Sequence, residues 1–261
     1  MALHRGTEHS PHNDLHCIIN NNMNTVNAVN PAKTAYIFGA SEIGSVENLV
    51  DRNGYIIAAD GGLSSVRKLG LTPNIALGDF DSLGYVPKGE YKTDIHPIEK
   101  DDTDMGLAVK RAISMGYKRL FLLGGLGGNR PDHTLANLQT LIYSAKNGAC
   151  AFLTDGRSCF TAISAGQKLC FPENYRGELS VFSAEGISEG VTLKGLKYEL
   201  ENATLSGDFP LGVSNSFIDK SSVSCGKSQR NATVSVKKGS LWICFRCEEK
   251  NEKEYPTVQN L

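Results

Sequence analysis

The chain has 261 residues, which allows one large domain or two small ones. Its 27 Lys and Arg residues nearly balance its 28 Asp and Glu residues, and this argues against a protein that coats nucleic acid or an anionic membrane. The composition, 40% hydrophobic and 21% charged, is that of a soluble globular protein, and no apolar run approaches the roughly 18–20 residues that span a bilayer. We therefore expect neither nucleic acid nor membrane among its partners.

Residues 1–30 are predicted to be a flexible N-terminal extension. They are polar, rich in Asn and His, and without helical or strand periodicity. The irregular spacing of their histidines favours an incidental extension over a metal-binding tract. The apolar stretch Leu15–Ile19 is too short for the core of a signal peptide, and Met23 is an alternative start that the sequence leaves open.

Residues 31–155 alternate between predicted strands and helices. The apolar runs Ala35–Phe38 and Tyr55–Ala59 have the composition of buried parallel strands, and a helix is expected after each. Further along are predicted strands at Asn74–Leu77, Arg119–Leu123 and Ala149–Thr154, and predicted helices at Thr103–Met115 and Asp132–Asn147. This alternation predicts a doubly wound α/β nucleotide-binding domain whose ligands lie at the carboxyl ends of the strands.

Residues 156–247 lose the helical periodicity and are predicted to form an all-β sandwich. Gly, Pro, Asn and Ser separate its predicted strands, which are Cys159–Ile163, Glu178–Phe182, Gly190–Lys194, Tyr198–Leu205, Ser222–Cys225, Thr233–Val236 and Leu241–Phe245. Residues 248–261 are charged and polar, and we expect them to be a frayed C-terminal tail.

The seven cysteines indicate a reducing environment, which predicts a cytoplasmic protein. Their number is odd and their positions are scattered, so no disulfide framework is visible. Cys244 and Cys247 form a C-x-x-C pair within a predicted strand, where residues three apart point to opposite faces. No second pair completes a four-ligand zinc site, and a structural role is favoured over metal or redox chemistry.

Three acidic loops follow predicted strands or begin a predicted helix. Asp60 follows one strand, Asp79 and Asp81 follow the next, and Lys100–Asp104 precedes a helix. Each Asp by itself is typical of a turn or a helix cap. Together at one sheet edge, such carboxylates suit Mg²⁺ bound with substrate phosphates.

A glycine-rich loop, Gly124–Gly128, follows another predicted strand and leads to Arg130, Asp132 and His133. By itself it could be a flexible turn with an N-cap, but beside the carboxylates it favours a phosphate site. It is not a P-loop, because no G-K-[ST] follows. Gly39–Gly44 resembles a dinucleotide fingerprint, but Ser41 replaces the second glycine and disfavours a nicotinamide site.

In this order, the motifs of the chain resemble those of the thiamine pyrophosphokinase family. The resemblance covers about residues 34–246 and rests on Ala59-Asp-Gly-Gly62, Gly78-Asp-Phe-Asp-Ser82, Lys100-Asp-x-Thr-Asp104, Gly124-Gly-x-Gly-Gly128 with Arg130-x-Asp-His133, and Gly212-Val-Ser-Asn215. It implies an α/β nucleotide domain followed by a β-sandwich. It also implies an Mg²⁺-dependent homodimer that transfers the pyrophosphoryl group of ATP to thiamine, giving thiamine diphosphate and AMP.

The resemblance also assigns site residues. It implies that Asp79, Asp81 and Asp104 hold Mg²⁺, with Asp60 close by, and that these four form the catalytic set. The ATP and diphosphate site is implied at Lys100, Asp101, Thr103, Arg130 and Asp132. Ser214 and Asn215 are implied to meet thiamine from the sandwich of the partner subunit.

The sequence departs from the family's motifs at two positions, and it leaves open the proton acceptor, the role of Trp242 and the exact function. Asn129 precedes Arg130 where many members have no residue, and Gly106 replaces a Glu of many bacterial members. Asp81 or Asp104 could accept the hydroxyl proton, and Trp242 could stack on substrate, although a core role is favoured. A pyrophosphokinase or kinase for another small alcohol and a non-catalytic ligand-binding protein are the alternative functions.

Overall fold

A computed structural model of the protein describes residues 33–81, 83–97, 101–173, 175–218, 231–247 and 255–261. The predictions for residues 1–30, Lys100 and the strand Ser222–Cys225 lie outside these residues. In the first half of the chain six strands pair in parallel in the order β6-β5-β1-β2-β3-β4. They are β1 (Thr34–Phe38), β2 (Tyr55–Ala59), β3 (Ile75–Gly78), β4 (Lys92–Ile95), β5 (Arg119–Leu123) and β6 (Cys150–Thr154).

Helices cover both faces of this parallel part. They are α1 (Gly62–Lys68), α2 (Asp104–Ser114) and α3 (Pro131–Lys146). Alternate side chains of each strand point to opposite faces, so Ala35 and Ile37 lie in the core with α2 and α3, whereas Tyr36 and Phe38 lie in the core with α1.

The helix expected after β1 is a wrong prediction. Residues 39–54 form turns and loop instead. Gly44 has a φ of +61° and lies against the backbone carbonyl of Asp155, where a Cβ atom would overlap the oxygen. This close contact with the loop after β6 is possible only because residues 39–54 are not helical. A helix would place Gly44 away from the carbonyl of Asp155.

The second half of the chain is β-rich, as predicted. Its strands are β7 (Ser158–Ser164), β8 (Gln167–Cys170), β9 (Glu178–Ser183), β10 (Ile187–Lys194), β11 (Leu200–Ser206), β12 (Gly212–Ser216), β13 (Thr233–Val236), β14 (Ser240–Arg246) and β15 (Thr257–Asn260). Neither β8 nor β12 was predicted as a strand.

The two halves share one sheet, which the sequence did not predict. β7 pairs antiparallel with β6, so the parallel strands continue into β7, β14, β9 and β12 as one ten-stranded sheet. A second sheet has the order β11-β10-β13-β8-β15. Apolar side chains of both sheets, such as Leu179, Leu193 and Val234, form the core between them.

The C-terminal residues 255–261 are ordered, so the expectation of a frayed tail is wrong for them. β15 pairs antiparallel with β8, and the ring of Tyr255 lies 4.8 Å from Phe121 and 5.0 Å from Phe152 between ring centroids. No helix follows β1 to cover the rings of Phe121 and Phe152. Tyr255 covers them instead. Only 8% of the Tyr255 surface is exposed.

Within the described ranges, no helix is both long enough and apolar enough to cross a membrane.

Candidate functional site

Three carboxylates meet at the carboxyl ends of β2 and β3. Asp60 follows β2, and Asp79 and Asp81 follow β3, its parallel neighbour. One carboxylate oxygen from each of the three lies within 4.8 Å of the other two. The strand ends therefore bring together two of the three acidic loops that the sequence predicted to converge.

The backbone around this cluster has an unusual conformation. Asp60 has a φ of +47° and Phe80 a φ of +59°, both in the left-handed region that residues other than glycine rarely adopt. Phe80 is 2% exposed, so its ring is buried in the core between the two aspartates that flank it in sequence. The backbone N–H of Asp81 donates to Asp79 Oδ1 at 3.2 Å. This buried anchor fixes the turn that holds Asp79 and Asp81 near Asp60.

The donor set fits a small divalent cation. Asp60 is 8% exposed, and its Oδ1 is buried without a hydrogen-bond partner among the described residues. Three negative groups at this separation repel one another unless a cation lies between them. Oxygen ligands from carboxylates are those that Mg²⁺ binds, together with substrate phosphates.

Asp104 lies at the first position of α2 and is not a member of this three-carboxylate group. Thr103 caps the helix, because its Oγ1 accepts from the backbone N–H of Gly106 at 3.0 Å. Asp101 is exposed just before this cap. The three-carboxylate group contains Asp60, which the sequence placed only close to the metal. The metal role that the resemblance implies for Asp104 stays a prediction.

The structure explains why position 106 is a glycine, one of the two departures noted in the sequence. A Cβ atom there would overlap Oδ1 of Asp102. The Asp102 carboxylate folds back over the helix, and its Oδ2 accepts from Lys110 Nζ at 2.5 Å. The glycine therefore makes room for an ion pair that ties the loop before α2 to the helix.

The glycine-rich loop after β5 has the backbone conformation expected of a phosphate-binding turn. Gly124, Gly127 and Gly128 have φ values of +68°, +72° and +77°. Thr134 Oγ1 of α3 accepts from the N–H of Gly127 at 3.1 Å and so fixes the loop against the helix. Because these glycines carry no Cβ atom, an anion can approach the backbone of the loop closely.

Arg130 and Asp132 form an ion pair at the start of α3. Arg130 Nη2 donates to Asp132 Oδ2 at 2.7 Å, and Arg130 Nε donates to Oδ1 at 3.0 Å. The Arg130 guanidinium lowers the pKa of Asp132 to about 2, and the same contact raises the pKa of Arg130. Both side chains are 62% exposed, so the pair can open at little cost to meet a phosphate.

A cleft of about 850 Å³ lies at the carboxyl ends of β1, β5 and β6, and the sequence motifs did not identify all the residues that line it. The loop after β1, the glycine-rich loop and the loop after β6 line it, including Ser41, Gly128, Arg130 and Arg157. Here β1 lies between β2 and β5, so the strand order reverses, which is where open α/β sheets bind ligands. Ser41 was considered only for a nicotinamide site, and no motif pointed to Arg157.

Ser214 and Asn215 lie on β12, at the opposite edge of the ten-stranded sheet. Seven strand spacings separate β12 from β2, or roughly 34 Å along the sheet at about 4.8 Å each. The structure therefore does not bring these residues to the carboxylates of the same chain.

The two residues of β12 have different surroundings. Asn215 is 3% exposed; its Oδ1 accepts from the N–H of Tyr198 at 3.0 Å, and its Nδ2 donates to the Tyr198 carbonyl at 2.6 Å. Ser214 is exposed, with a φ of +59°. The Ser214 hydroxyl thus faces solvent, whereas the Asn215 amide holds the backbone of Tyr198.

Trp242 has a structural role, as the sequence favoured. Its Nε1–H donates to the carbonyl of Leu138 in α3 at 2.9 Å, and its ring packs in the core beneath that helix.

Comparisons with known proteins agree with this arrangement. The family model for the catalytic domain of thiamin pyrophosphokinase matches residues 46–153, and the model for the vitamin B1 binding domain of the same family matches residues 168–240. Thiamine pyrophosphokinase of Bacillus subtilis is 30% identical over 188 residues, which are 67% of this chain and 87% of the relative. Thiamin pyrophosphokinase 1 of Caenorhabditis elegans is 28% identical over 183 residues, 65% of this chain and 74% of the relative.

Solved structures share the fold. The crystal structure of the Bacillus subtilis enzyme has a TM-score of 0.68 at 25% identity and covers 83% of this chain and 100% of its own. Thiamin pyrophosphokinase from Candida albicans has a TM-score of 0.64 at 14% identity, covering 82% and 90%, which is a likeness of fold alone. The two family models together match most of the chain, and this protein belongs to the thiamin pyrophosphokinase family.

Proposed function

We propose that this chain transfers the pyrophosphoryl group of ATP to the hydroxyl of thiamine, giving thiamine diphosphate and AMP, with Mg²⁺ as the metal. Membership of the family supports the reaction. The observation that carries the proposal in this chain is the group of Asp60, Asp79 and Asp81 at the carboxyl ends of β2 and β3. An intact set of three converging carboxylates also argues against a non-catalytic ligand-binding protein.

In the reaction, an oxygen–phosphorus bond forms between the thiamine hydroxyl and the β-phosphorus of ATP, while the bond from that phosphorus to the α-phosphate oxygen breaks. The electron pair of the broken bond leaves with AMP, and the hydroxyl proton passes to a carboxylate, Asp81 or Asp104. Catalysis is mostly positioning and charge neutralisation. Bound Mg²⁺, held by Asp60, Asp79 and Asp81, supplies positive charge at the phosphates.

The phosphates of ATP are bound by groups at the start of α2 and α3. Arg130 is the cation nearest the glycine-rich loop in sequence, and Asp132 holds its guanidinium in place until a phosphate displaces it. Asp101 and Thr103 border the loop before α2. Lys100, outside the described residues, and Asp104 complete the proposed set.

The active site is shared between the subunits of a homodimer. Ser214 and Asn215 lie seven strand spacings from β2 in the same chain, too far for one substrate to touch both places. In a two-fold dimer, each β12 can meet the carboxylates of the partner subunit. Ser214 then contacts thiamine, and Asn215 shapes the site through Tyr198.

The protein acts in the cytoplasm. The described cysteines, Cys150, Cys159, Cys170, Cys244 and Cys247, are all free thiols, which is typical of reducing compartments.

Incubation with ATP, Mg²⁺ and thiamine tests the reaction, with AMP and ADP separated by chromatography. Attack at the β-phosphorus releases AMP in step with thiamine diphosphate. Release of ADP with thiamine monophosphate would instead identify an ordinary kinase. Faster turnover with a different alcohol would assign the fold to another acceptor.

A further inference from the structure

We propose that Arg157 binds the α-phosphate of ATP and keeps hold of it on the AMP leaving group. Arg157 lines the cleft at the carboxyl ends of β1, β5 and β6, together with Ser41 and Gly128. The proposal rests on the proposed function and adds a phosphate-binding residue that lies outside every motif of the sequence.

The loop that carries Arg157 is fixed in place. Gly156 has a φ of +87° and lies against the carbonyl of Ser45, where a Cβ atom would overlap the oxygen. Asp155 Oδ1 accepts from the backbone N–H of Arg157 at 2.9 Å and of Ser158 at 2.7 Å. The loops after β1 and β6 therefore lock together, and the backbone of Arg157 is held at the wall of the cleft.

Of the two arginines that line the cleft, Arg157 is the one without a carboxylate partner among the described residues. The carboxylate of Asp155 is used in its own turn, and Arg130 is paired with Asp132. The Arg157 guanidinium makes no hydrogen bond or ion pair with any residue that the structure describes. The remaining acid of the lining, Glu42, is exposed on the loop after β1.

The position of Arg157 fits the α-phosphate. The carboxylates at β2 and β3 hold the metal and the β- and γ-phosphates, so the rest of the nucleotide extends away from them. β6 lies three strand spacings from β2 on the side of β1 and β5, or about 14 Å along the sheet. Of the three phosphates, the α-phosphate is then the one nearest to β6, and the long side chain of Arg157 covers part of the remaining distance. Gly128, which has a positive φ, lines the cleft along this path.

The chemistry gives this position a role in catalysis. When the bond between the β-phosphorus and the α-phosphate oxygen breaks, the electron pair stays on that oxygen and AMP gains negative charge. At the same time the thiamine oxygen bonds to the β-phosphorus and releases its proton to a carboxylate. A guanidinium beside the α-phosphate stabilises the charge that develops there.

Calorimetric titration with AMP, without Mg²⁺ or thiamine, tests the assignment in the full chain. Arg157→Gln should weaken AMP binding by about 10- to 100-fold, the range of a charge-assisted hydrogen bond, and Arg157→Lys should fall between it and the wild type. Adenosine should bind both equally well. Arg52→Gln is the matched control, because Arg52 is an exposed arginine before the amino-terminal end of β2, whereas the cleft lies at the carboxyl ends of the strands. This variant should leave AMP binding unchanged.

Steady-state kinetics provide the second measurement. Arg157→Gln should raise the KM for ATP and leave the KM for thiamine unchanged. Equal AMP affinity in the wild type and Arg157→Gln would overturn the proposal, as would an equal loss of adenosine and AMP binding. If the wild type forms no AMP from ATP and thiamine, the proposed function fails, whereas the AMP titration still tests Arg157.

Discussion

Gly78 and Asp60 lie so close together that a Cβ atom on Gly78 would be 3.2 Å from both the Cα and the Cβ of Asp60. Gly78 also has a φ of +143°. Glycine at the end of β3 therefore allows the backbone of Asp60 to approach, and this approach sets the spacing of the carboxylates.

We expect Gly78→Ala to displace Asp60 and lower turnover by tenfold or more, because a shift of about 1 Å in a catalytic group can cost about 100-fold. Backbone strain should also lower the free energy of unfolding by about 1–3 kcal/mol. Gly84→Ala is the matched control. Gly84 has a φ of +69°, but a Cβ atom there would meet nothing within 4 Å, so we expect strain without loss of Mg²⁺ dependence. Equal activity losses in the two variants, measured by AMP release, would contradict this account.

Asp60→Asn should remove the response to Mg²⁺ without unfolding the protein. Neutralising one of three neighbouring carboxylates reduces their repulsion, so the melting temperature without metal should stay the same or rise. The increase in melting temperature on adding Mg²⁺ should disappear, and turnover should fall by about 100-fold. Asp51→Asn, at an exposed position before β2, is the control and should respond to Mg²⁺ like the wild type. A normal Mg²⁺ response in Asp60→Asn would exclude this residue as a ligand.

The variants Ser214→Ala and Asn215→Ala should have different effects on the free energy of unfolding and on the KM for thiamine. Asn215→Ala removes an amide that is 3% exposed, together with both of its hydrogen bonds to the backbone of Tyr198, and we expect a loss of about 2 kcal/mol in the free energy of unfolding. Ser214→Ala should keep its stability and raise the KM for thiamine but not for ATP. Urea denaturation and steady-state kinetics measure the two effects. A stable Asn215→Ala variant with a raised KM for thiamine would instead make the amide a direct ligand.

Mixing inactive variants tests whether the site is shared. Asp81→Asn damages the carboxylate edge, and Ser214→Arg places a positive charge against the thiazolium cation of thiamine. In a heterodimer with shared sites, one site contains both substitutions and the other contains neither. As much as about half the wild-type activity should therefore return. Mixing Asp81→Asn with Asp60→Asn is the control, because both lie at the same edge and no activity should return. If subunit exchange is confirmed and the first mixture stays inactive, each chain builds its own site.

Cys247 should be the most readily alkylated of the described cysteines near neutral pH. A hydrogen bond with the Cys159 thiol lowers the pKa of Cys247 to about 7 and outweighs burial, whereas burial raises the pKa of Cys150 and Cys244 to about 11. Because the thiolate is the nucleophile, the rate of iodoacetamide labelling at Cys247 should rise with pH, with a midpoint near 7. Mass spectrometry locates the label, and Cys159→Ala should move the midpoint upward. An unchanged midpoint in that variant would remove Cys159 as the cause.

The carboxylate cluster could be predicted because its information is local. Asp60, Asp79 and Asp81 each follow a short apolar run, and parallel strands bring their carboxyl ends to one edge. The metal role of Asp104 stays a prediction: Asp104 also lies in an acidic loop, but at a helix start, and sequence spacing does not give the distance from there to β2.

What the sequence could not give depends on contacts between distant segments. The open loop around Gly44 is held by the carbonyl of Asp155, more than a hundred residues later. Arg157 lines the cleft because the loops after β1 and β6 are in contact. Tyr255 is a single aromatic residue in a charged stretch, too short a pattern to predict a strand, and it is buried because Phe121 and Phe152 are left without a helix.

The pairing of β6 with β7 has a consequence for how the molecule folds. Residues of the two strands, such as Phe152 and Thr161, lie opposite each other in the ladder, and Thr161 Oγ1 also donates to the Ala151 carbonyl at 2.8 Å. A chain divided between these strands would leave each half with an unpaired edge, which is a template for aggregation. We therefore expect the two halves to unfold in one cooperative transition, in which a destabilising substitution in either half lowers the melting temperature of both.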